Sequence, residues 1–380
     1  MSHPVMHHLD KQAIPLFAHS IAQWQKKHGR HGLPWQHNRD PYRIWLAEIM
    51  LQQTQVRTVL GYYERFLQRF PDVYSLAQAS QEEVMPYWAG LGYYARARHL
   101  HRCAQIIVSE YGGAFPRTQA QLKTLPGIGP STAAAIAAFA FGERISILDG
   151  NVKRVLARFA GVFAPLQRSA TEKELWAMAQ QFVAAAPDTL DMTAYTQGLM
   201  DLGALLCTRH QAQCSACPVR THCYAYTQQC VPQLPVPNPP RTYPTRRRHM
   251  LIWLGADHQL LLQRRPNQGI WGGLVSLPEF TSRAALRAFC HSSTIKPPQR
   301  RLQPLEVIRH RLTHFALEIH PWLLHTPTLD PRTLPCASAS DLLWIPAHHY
   351  TQQALPAPIE RLLASLLRPI MNLAQEPAHD

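Results

Sequence analysis

Four of the eight cysteines in this 380-residue chain lie in one short stretch, and their spacing restricts the fold more than any other feature. Cys207, Cys214, Cys217 and Cys223 follow the pattern C-x6-C-x2-C-x5-C, which is typical of a metal site. A disulfide framework is disfavoured because the opening residues contain no apolar secretory segment, and non-exported compartments keep thiols reduced. Four thiolates suit either zinc or an iron–sulfur cluster, so the spacing alone leaves the metal open.

The excess of positive charge, 38 Lys and Arg against 24 Asp and Glu, gives a net charge of +14. Residues 231–380 contain 16 basic and 9 acidic residues, so they and the part before them each carry +7. Both parts can therefore face a polyanion such as nucleic acid, although a general solubilising role also explains the charge. The longest apolar run, around residues 133–141, is about half the ~20 residues of a membrane span. We expect a soluble, non-exported, cytoplasmic protein.

Hydrophobic periodicity predicts a mainly helical fold up to residue 225 and a different class after it. The helices are predicted at Tyr42–Leu60, Ser75–Pro86, Ala95–Glu110, Thr118–Leu125, Ser131–Phe141, Val152–Phe159, Thr171–Ala185 and Met192–Leu206. Six prolines between Pro232 and Pro244 then predict an extended linker. Two predicted strand pairs follow, with helices at Ser282–Cys290 and Pro358–Leu373, so the second domain is a small α+β fold. The predicted limits are 1–225, a linker at 226–247, 248–370 and a tail at 371–380.

A glycine turn between two predicted helices lies in LPGIGPSTAAAIAAF, residues 125–139. Gly127, Ile128 and Gly129 form the turn, and the next helix starts at Pro130. Glycine permits close approach and a helix N-terminus favours an anion, so this hairpin is a candidate phosphate-binding site. A turn that only lets two helices pack is the simpler interpretation.

Two acidic residues are candidate catalytic groups. Glu48, in WLAEIMLQQTQV, shares a helical face with Ile44, Trp45 and Leu51. Burial on that face is expected to raise its pKa toward the working range of a general acid. Asp149, in LDGNVKRVLARF, stands just ahead of a predicted helix, where an aspartate most often acts as an N-cap.

The hairpin, the aspartate and the cysteine spacing together resemble the helix-hairpin-helix DNA glycosylase superfamily with an iron–sulfur cluster. With LPWQ, GLGYYARAR and YTQGLMDLGALLC, the chain closely resembles adenine DNA glycosylases of the MutY type. The resemblance implies a two-lobed, all-helical domain with a [4Fe-4S] cluster at 207–223, followed by a Nudix-like domain. It implies a monomer that acts on double-stranded DNA at the nucleoid and excises adenine mispaired with 8-oxoguanine or guanine.

The same resemblance assigns roles to individual residues. Glu48 protonates the adenine and Asp149 stabilises the sugar cation, while the four cysteines hold the cluster. The base-flipping and adenine-pocket positions are Trp35, Gln53, Tyr93, Ser131 and Gln197. Gln53 and Tyr93 are the wedge that replaces the flipped base, and Trp35 and Gln197 line the pocket. Ser131 stands where bifunctional members carry a lysine nucleophile, which implies a monofunctional enzyme. The hairpin is also a candidate site for a monovalent cation.

RRPNQGIWGGLVSLPEF, residues 264–280, resembles the core of a Nudix domain. A working Nudix hydrolase holds Mg²⁺ with glutamates on a helix, but no acidic residue follows Glu279 until Glu306. The second domain is therefore expected to bind and not to hydrolyse. The positions that match the 8-oxoguanine-reading Phe-Ser-His loop are Leu312, Thr313 and His314. The threonine keeps the hydroxyl, whereas the leucine removes an aromatic surface.

Three other functions stay open at this stage. One is a non-catalytic, cluster-bearing protein that binds damaged DNA, and a second is a nucleotide hydrolase, which the missing glutamates disfavour. The third is a glycosylase of another specificity, such as one that removes thymine from a G·T pair.

Overall fold

The computed structural model of the chain describes residues 11–36, 38–237, 242–292, 302–312, 314–327 and 341–373. The chain forms two compact units. The first combines Met1–Gln78 with His99–Pro240, and the second combines Ala79–Arg98 with Arg241–Asp380. Among the described residues, no helix has both the length and the apolar character needed to span a membrane.

The part of the chain before the linker is helical, as predicted. Its α-helices are α1 (Ile14–His28), α2 (Pro41–Leu51), α3 (Val56–Arg69), α4 (Val73–Gln78), α5 (Gln81–Trp88), α6 (Ala95–Tyr111), α7 (Gln119–Leu122), α8 (Pro130–Phe141), α9 (Gly150–Ala160), α10 (Ser169–Ala184), α11 (Met192–Asp201) and α12 (Tyr224–Thr227). Phe17 stacks on Phe182 with ring centroids 4.1 Å apart and meets Phe159 at 4.5 Å, so α1, α10 and α9 share one apolar core in the first unit.

The helix predicted over Tyr42–Leu60 is wrong in one respect, because it is two helices. Asp40 caps the first of them by accepting a hydrogen bond from the Tyr42 N–H at 3.0 Å. The chain leaves the helix at Gln52, and Gln53 takes a left-handed conformation with φ of 58°. The Gln52 side chain donates to Thr132 Oγ1 at 3.1 Å, so a tertiary bond to α8 holds the break.

The second unit contains one mixed sheet. Its strands are β1 (Thr245–Leu254), β2 (Gln259–Arg264), β3 (Val275–Ser276), β4 (Glu279–Phe280), β5 (Gln303–Pro304), β6 (Ile308–Arg311), β7 (Ala316–His325) and β8 (Leu342–Pro346). The two predicted strand pairs are confirmed as the antiparallel pairs β1–β2 and β6–β7. β1 also pairs with β7 in parallel, with Thr245 opposite Ala316. Alternating burial along β7 places one of its faces in an apolar core.

Three helices belong to the second unit besides the first turn of α6. α5 starts with a capping box between Ser80 and Glu83, which explains why it begins there. The other two are α13 (Arg283–Ser292) and α14 (Ala357–Leu373), close to the predicted limits. Leu286 of α13 packs into the core formed by Leu251, Trp253 and Trp322 of the sheet.

Candidate active site and metal centre

Glu48 lies on α2, a helix that is buried on nearly all sides. Ile44, Trp45 and Ala47 are all less than 5% exposed, and Glu48 itself is only partly accessible. Burial, together with the negative charge of Asp149, raises the pKa of Glu48 to about 8. The carboxyl group therefore keeps its proton at neutral pH, which is the state that a general acid needs.

Asp149 begins α9 and is close enough to Glu48 for their charges to interact. Its Oδ1 accepts a hydrogen bond from the Val152 N–H at 2.8 Å, so the ordinary N-cap role is present. Burial raises the pKa of Asp149, while the N–H groups of α9 and the positive charges of Arg154 and Lys153 oppose that shift. One carboxyl group thus sits at a positive helix end and the other in an apolar setting, so they are suited to different tasks.

The hairpin Gly127-Ile128-Gly129 connects α7 to α8 beside this pair. Gly127 has φ of 78° and faces the His99 side chain, where a Cβ atom would lie 2.7 Å from His99 Cβ. Both glycines are exposed, whereas Ile128 is buried and anchors the turn. Gly129 precedes α8 without a side-chain cap, so the first N–H groups of that helix are open to an anion.

Ser131 lies in the first turn of α8 and connects the hairpin to Asp149. Its Oγ accepts a hydrogen bond from the Leu148 N–H at 3.1 Å. α2 packs against α8, and the Gln52 side chain lies 3.4 Å from the carbonyl oxygen of Gly127. The structure therefore brings together Glu48, Asp149, Ser131 and the hairpin, which are far apart in the sequence.

Gln197 belongs to a buried polar network centred on Asp201, a residue that was not among the predicted site residues. Gln197 Nε2 donates to Asp201 Oδ1 at 2.8 Å, and Asp201 is fully buried. Arg30 donates to the same carboxylate through its backbone N–H at 2.8 Å and its Nε at 2.7 Å. Gln36 in turn donates to the Arg30 carbonyl, and it belongs to the short turn that carries the buried Trp35. Asp201 thus joins the predicted pocket residue Gln197 to Arg30, and it lies within YTQGLMDLGALLC, although the sequence assigned it no role.

The two predicted wedge residues share an unusual backbone conformation. Gln53 has φ of 58° and Tyr93 has φ of 50°, in the region that residues other than glycine rarely adopt. Both side chains are exposed, and Tyr93 is 50% accessible. Gln53 belongs to the first unit and Tyr93 to the second. Strain of this kind concentrates at functional sites, and neither position could have been found from backbone preferences in the sequence.

The four clustered cysteines line one cavity in the first unit. Its wall contains their side chains together with apolar residues and two arginines, namely Cys207, Cys214, Cys217, Cys223, Val155, Phe159, Leu202, Leu206, Val219, Val231, Arg158 and Arg220, among others. No group of three or more His, Cys, Asp or Glu side chains in the described parts of the chain is arranged to hold a single ion.

Arg158 is the buried cation beside this cavity, and the sequence analysis did not single it out. Its Nη1 lies 3.3 Å from Cys207 Sγ and donates to the Thr208 carbonyl at 2.7 Å. It also donates to the carbonyl oxygens of Arg209 and Leu234. One guanidinium therefore orders the segment after Cys207, in which the Arg209 side chain is exposed.

The donor set fits a metal–sulfur group. Burial, together with the charges of the neighbouring cysteines, raises the pKa of the Cys217 thiol to about 12 and that of the Cys223 thiol to about 11. Four ionised thiolates in this setting require a cationic centre, and Arg158 offsets part of the remaining negative charge.

The second unit holds the predicted reading loop between β6 and β7. Leu312 and His314 lie on this hairpin, and His314 is exposed; Thr313 lies outside the described residues. Glu279, the last acidic residue of the Nudix-like motif, is held by Arg248 at 2.9 Å and by Arg265 at 2.7 Å. Both of its carboxylate oxygens are therefore already bound to guanidinium groups.

Comparisons with protein families match both parts of the chain. Residues 46–181 match the model of the HhH-GPD superfamily base excision DNA repair protein, and residues 249–365 match the NUDIX domain. The structure is similar to that of a thermostable thymine-DNA glycosylase, with a TM-score of 0.51 and 28% identity. That similarity covers 57% of this chain and 98% of the other.

Curated relatives extend the match beyond the helical domain. The adenine DNA glycosylase of Buchnera aphidicola subsp. Baizongia pistaciae (strain Bp) is 30% identical over 352 residues, which cover 92% of this chain and 97% of the relative. The adenine DNA glycosylase of Mus musculus is 34% identical over 363 residues, covering 82% of this chain and 69% of the relative. The human adenine DNA glycosylase is 41% identical over 225 residues, covering 57% of this chain and 40% of the relative.

Proposed function

Because this chain belongs to the adenine DNA glycosylases and removes adenine from DNA in base excision repair, we propose that its substrates are adenines opposite 8-oxoguanine or guanine. The observation that carries the proposal is the pair of carboxyl groups, one protonated and one at a helix N-terminus, beside a hairpin suited to phosphate. The hairpin loop that contains Leu312 and His314 is the proposed reader of the opposite base.

Glu48 is the proposed general acid. Breaking the bond between adenine and deoxyribose produces a poor leaving group unless a proton reaches the base. Glu48 carries that proton at neutral pH and delivers it to N7 of adenine. The resulting carboxylate then helps to activate the attacking water.

Asp149 is the proposed stabiliser of the sugar, which gains positive charge as the bond breaks. An anion beneath the ring favours that state, either by charge alone or through a transient covalent adduct as in retaining glycosidases. The N–H groups at the start of α9 keep Asp149 in place for this role.

Extrusion of the adenine from the duplex precedes this chemistry and costs a few kcal/mol. Gln53 and Tyr93 are the proposed wedge, since both are exposed and held in a left-handed conformation. Gln197, which donates to Asp201, and the buried Trp35 are proposed to line the pocket that receives the base.

The reaction is proposed to stop at base removal. A lyase needs an amine to attack the sugar, and Ser131 occupies the position where bifunctional members carry lysine. The Ser131 hydroxyl instead accepts a hydrogen bond from the residue before Asp149. The monovalent cation expected at the hairpin stays a prediction.

Cys207, Cys214, Cys217 and Cys223 are proposed to hold one [4Fe-4S] cluster with a structural role. The cluster would supply the cationic centre that four neighbouring thiolates need. Together with Arg158 it would order the segment that carries Arg209 and His210, two exposed residues suited to DNA phosphates. Iron and sulfide analysis of the purified protein tests this; stoichiometric zinc in place of iron and sulfide would overturn it.

The test of specificity uses purified protein in excess over duplexes with adenine opposite 8-oxoguanine, guanine, cytosine or thymine, and a further duplex with a G·T pair. Free base is measured, and strand breaks are measured before and after alkali. We expect adenine release from the first two duplexes and breaks only after alkali. Equal release from all adenine duplexes would overturn the proposed specificity, and breaks before alkali would overturn the monofunctional assignment.

A further inference from the structure

The loop 265–273 in the second unit is held in one conformation by its own backbone. The Arg265 N–H donates to the Leu274 carbonyl at 2.8 Å and closes the base of the loop. Gly272 admits no side chain, because a Cβ atom there would lie 2.5 Å from the carbonyl oxygen of Asn267. The carbonyl group of Gly272 is therefore presented to its neighbours at a fixed position.

Arg98 binds that carbonyl directly. Its Nη1 donates to Gly272 O, and its Cδ lies in van der Waals range of a Cβ built on Gly273. Two further contacts join the same part of the second unit to helix α5. Gln81 Nε2 donates to Asn267 Oδ1 at 3.0 Å, and Glu82 forms an ion pair with Arg264. The segment 81–98 is thus attached to the loop 265–273 through Gln81 and Arg98, and to the adjoining end of β2 through Glu82.

Tyr93 lies immediately before the helix that carries Arg98. Its carbonyl oxygen accepts a hydrogen bond from the Arg96 N–H at 2.8 Å, in the turn that leads into α6. The Arg96 guanidinium lies 5.5 Å from the centre of the Tyr93 ring and 5.4 Å from that of Trp88. These contacts connect Tyr93 to the first turn of α6, the turn in which Arg98 lies.

The same loop also contacts the proposed reading hairpin. Trp271 stands next to Gly272, has φ of 54° and is 8% exposed. Its ring lies 6.1 Å from the ring of His310 on β6, two residues before Leu312. One rigid loop therefore contacts β6 at one point and the Tyr93 segment at another.

We propose that Arg98 is a positioning residue through which the loop 265–273 sets the conformation of Tyr93. Recognition of the base opposite adenine and insertion of Tyr93 are then coupled inside the second unit. This inference rests on the proposed function, in which Tyr93 fills the vacated stack and the β6–β7 hairpin reads the opposite base.

The coupling predicts a selective defect. When Arg98 is replaced by glutamine, the segment that contains Tyr93 loses its hydrogen bond to Gly272. The contacts of the reading hairpin and of the catalytic carboxyl groups do not involve Arg98 and stay as they are. We expect the single-turnover rate of adenine release opposite 8-oxoguanine to fall about tenfold, and the rate opposite guanine to fall less. Arg98→Lys keeps the charge and a donor, so it should recover part of the loss.

A double-mutant cycle tests whether Arg98 acts through Tyr93. Single-turnover rates on both duplexes are measured for the wild type, Arg98→Gln, Tyr93→Ala and the double variant. Arg102→Gln, an exposed arginine one turn further along α6, controls for the loss of positive charge. Hydrogen exchange of the free proteins reports the segment 90–97 and, as a folding control, α9. We expect the double variant to match Tyr93→Ala, and exchange at 90–97 to increase only when Arg98 is replaced.

Additive losses in the cycle, or an equal loss on both duplexes, would overturn the proposal and assign Arg98 to phosphate binding. Unchanged exchange at 90–97 in Arg98→Gln would overturn it as well. The proposed function fails in a different way: Tyr93→Ala would then release adenine as fast as the wild type, or the wild type would not prefer 8-oxoguanine. These results are visible without any Arg98 variant, so the two failures are distinguishable.

Discussion

Two glutamates, one in each unit, show how the surroundings of a carboxyl group decide its task. Glu48 lies among apolar side chains near another acid, and its pKa rises to about 8. Glu279, the last acidic residue of the Nudix-like motif, is bound by Arg248 and Arg265. The first is suited to giving a proton to a base, whereas the second forms contacts that join β4 to β1 and to the segment after β2. The same type of side chain is therefore suited to proton transfer in the helical unit and to ion pairing in the Nudix-like unit.

Replacement of Glu48 by glutamine gives the largest expected effect. The amide keeps the shape but has no proton of suitable acidity, so we expect adenine release to fall about a thousandfold or more. Single-turnover release opposite 8-oxoguanine measures this, with binding measured in parallel.

Glu279→Gln is the matched change in the second unit. It weakens the ion pairs with two partly buried arginines, so the melting temperature should fall and about 1–3 kcal/mol of unfolding free energy should be lost. Adenine release by saturating enzyme should be unchanged. A comparable loss of release in both variants would break the contrast between the two glutamates.

Asp149→Asn should lower the rate about a hundredfold, because it removes the negative charge near the sugar. The asparagine still caps α9, so the melting temperature should change little. Asp191→Asn at the start of α11 is the control, since Asp191 is also an N-cap that accepts from a helix N–H. If Asp149→Asn released adenine at the wild-type rate, Asp149 would have no catalytic role and would act only as the N-cap of α9.

The pH dependence of release should reflect both carboxyl groups. A pKa raised to about 8 keeps the proton on Glu48 up to that pH, so the rate should fall about tenfold per pH unit above it. At low pH the rate should fall as Asp149 is protonated, and because its pKa is raised, this fall should begin above the range usual for aspartate. Single-turnover rates between pH 4 and 10 test this, and a flat profile above pH 8 contradicts the role of Glu48. In Glu48→Gln the residual rate should no longer fall above pH 8.

His314→Ala gives the smallest expected effect, because the proposed role of the reading loop is to contact DNA and not to cleave the bond. We expect affinity for the duplex with 8-oxoguanine to weaken about threefold to tenfold, with an unchanged maximal rate of release. Titration of catalytically inactive Glu48→Gln, with and without the second change, measures the affinity. His325→Ala, at the exposed end of β7, is the control. A fall in maximal rate without weaker binding would assign His314 to catalysis.

Sequence patterns predicted what depends on local order, including the N-cap at Asp149, both antiparallel strand pairs and the buried face that holds Glu48. Sequence patterns did not predict features that depend on contacts with residues far away in the chain. The break after Leu51 has no glycine or proline, and a bond from Gln52 to Thr132 holds it. The parallel pairing of β1 with β7 is equally non-local.

The buried polar residues Asp201 and Arg158 were also not predicted from the sequence. Asp201 binds the backbone N–H and the side chain of Arg30, and Arg158 binds the carbonyl groups of Thr208, Arg209 and Leu234. No spacing rule in the sequence relates these partners. α1 was also not predicted, although it forms part of the core of the first unit.

The left-handed backbone at Gln53 and Tyr93 also restricts which substitutions this enzyme can accept during evolution. At each position glycine would remove the strain and stabilise the fold, yet it would also remove the side chain proposed to enter the duplex. Selection for heat resistance alone would therefore favour substitutions that selection for repair rejects. Thermal stability that leaves repair intact must be gained elsewhere in the molecule, so these two positions are a poor choice for stabilising mutations.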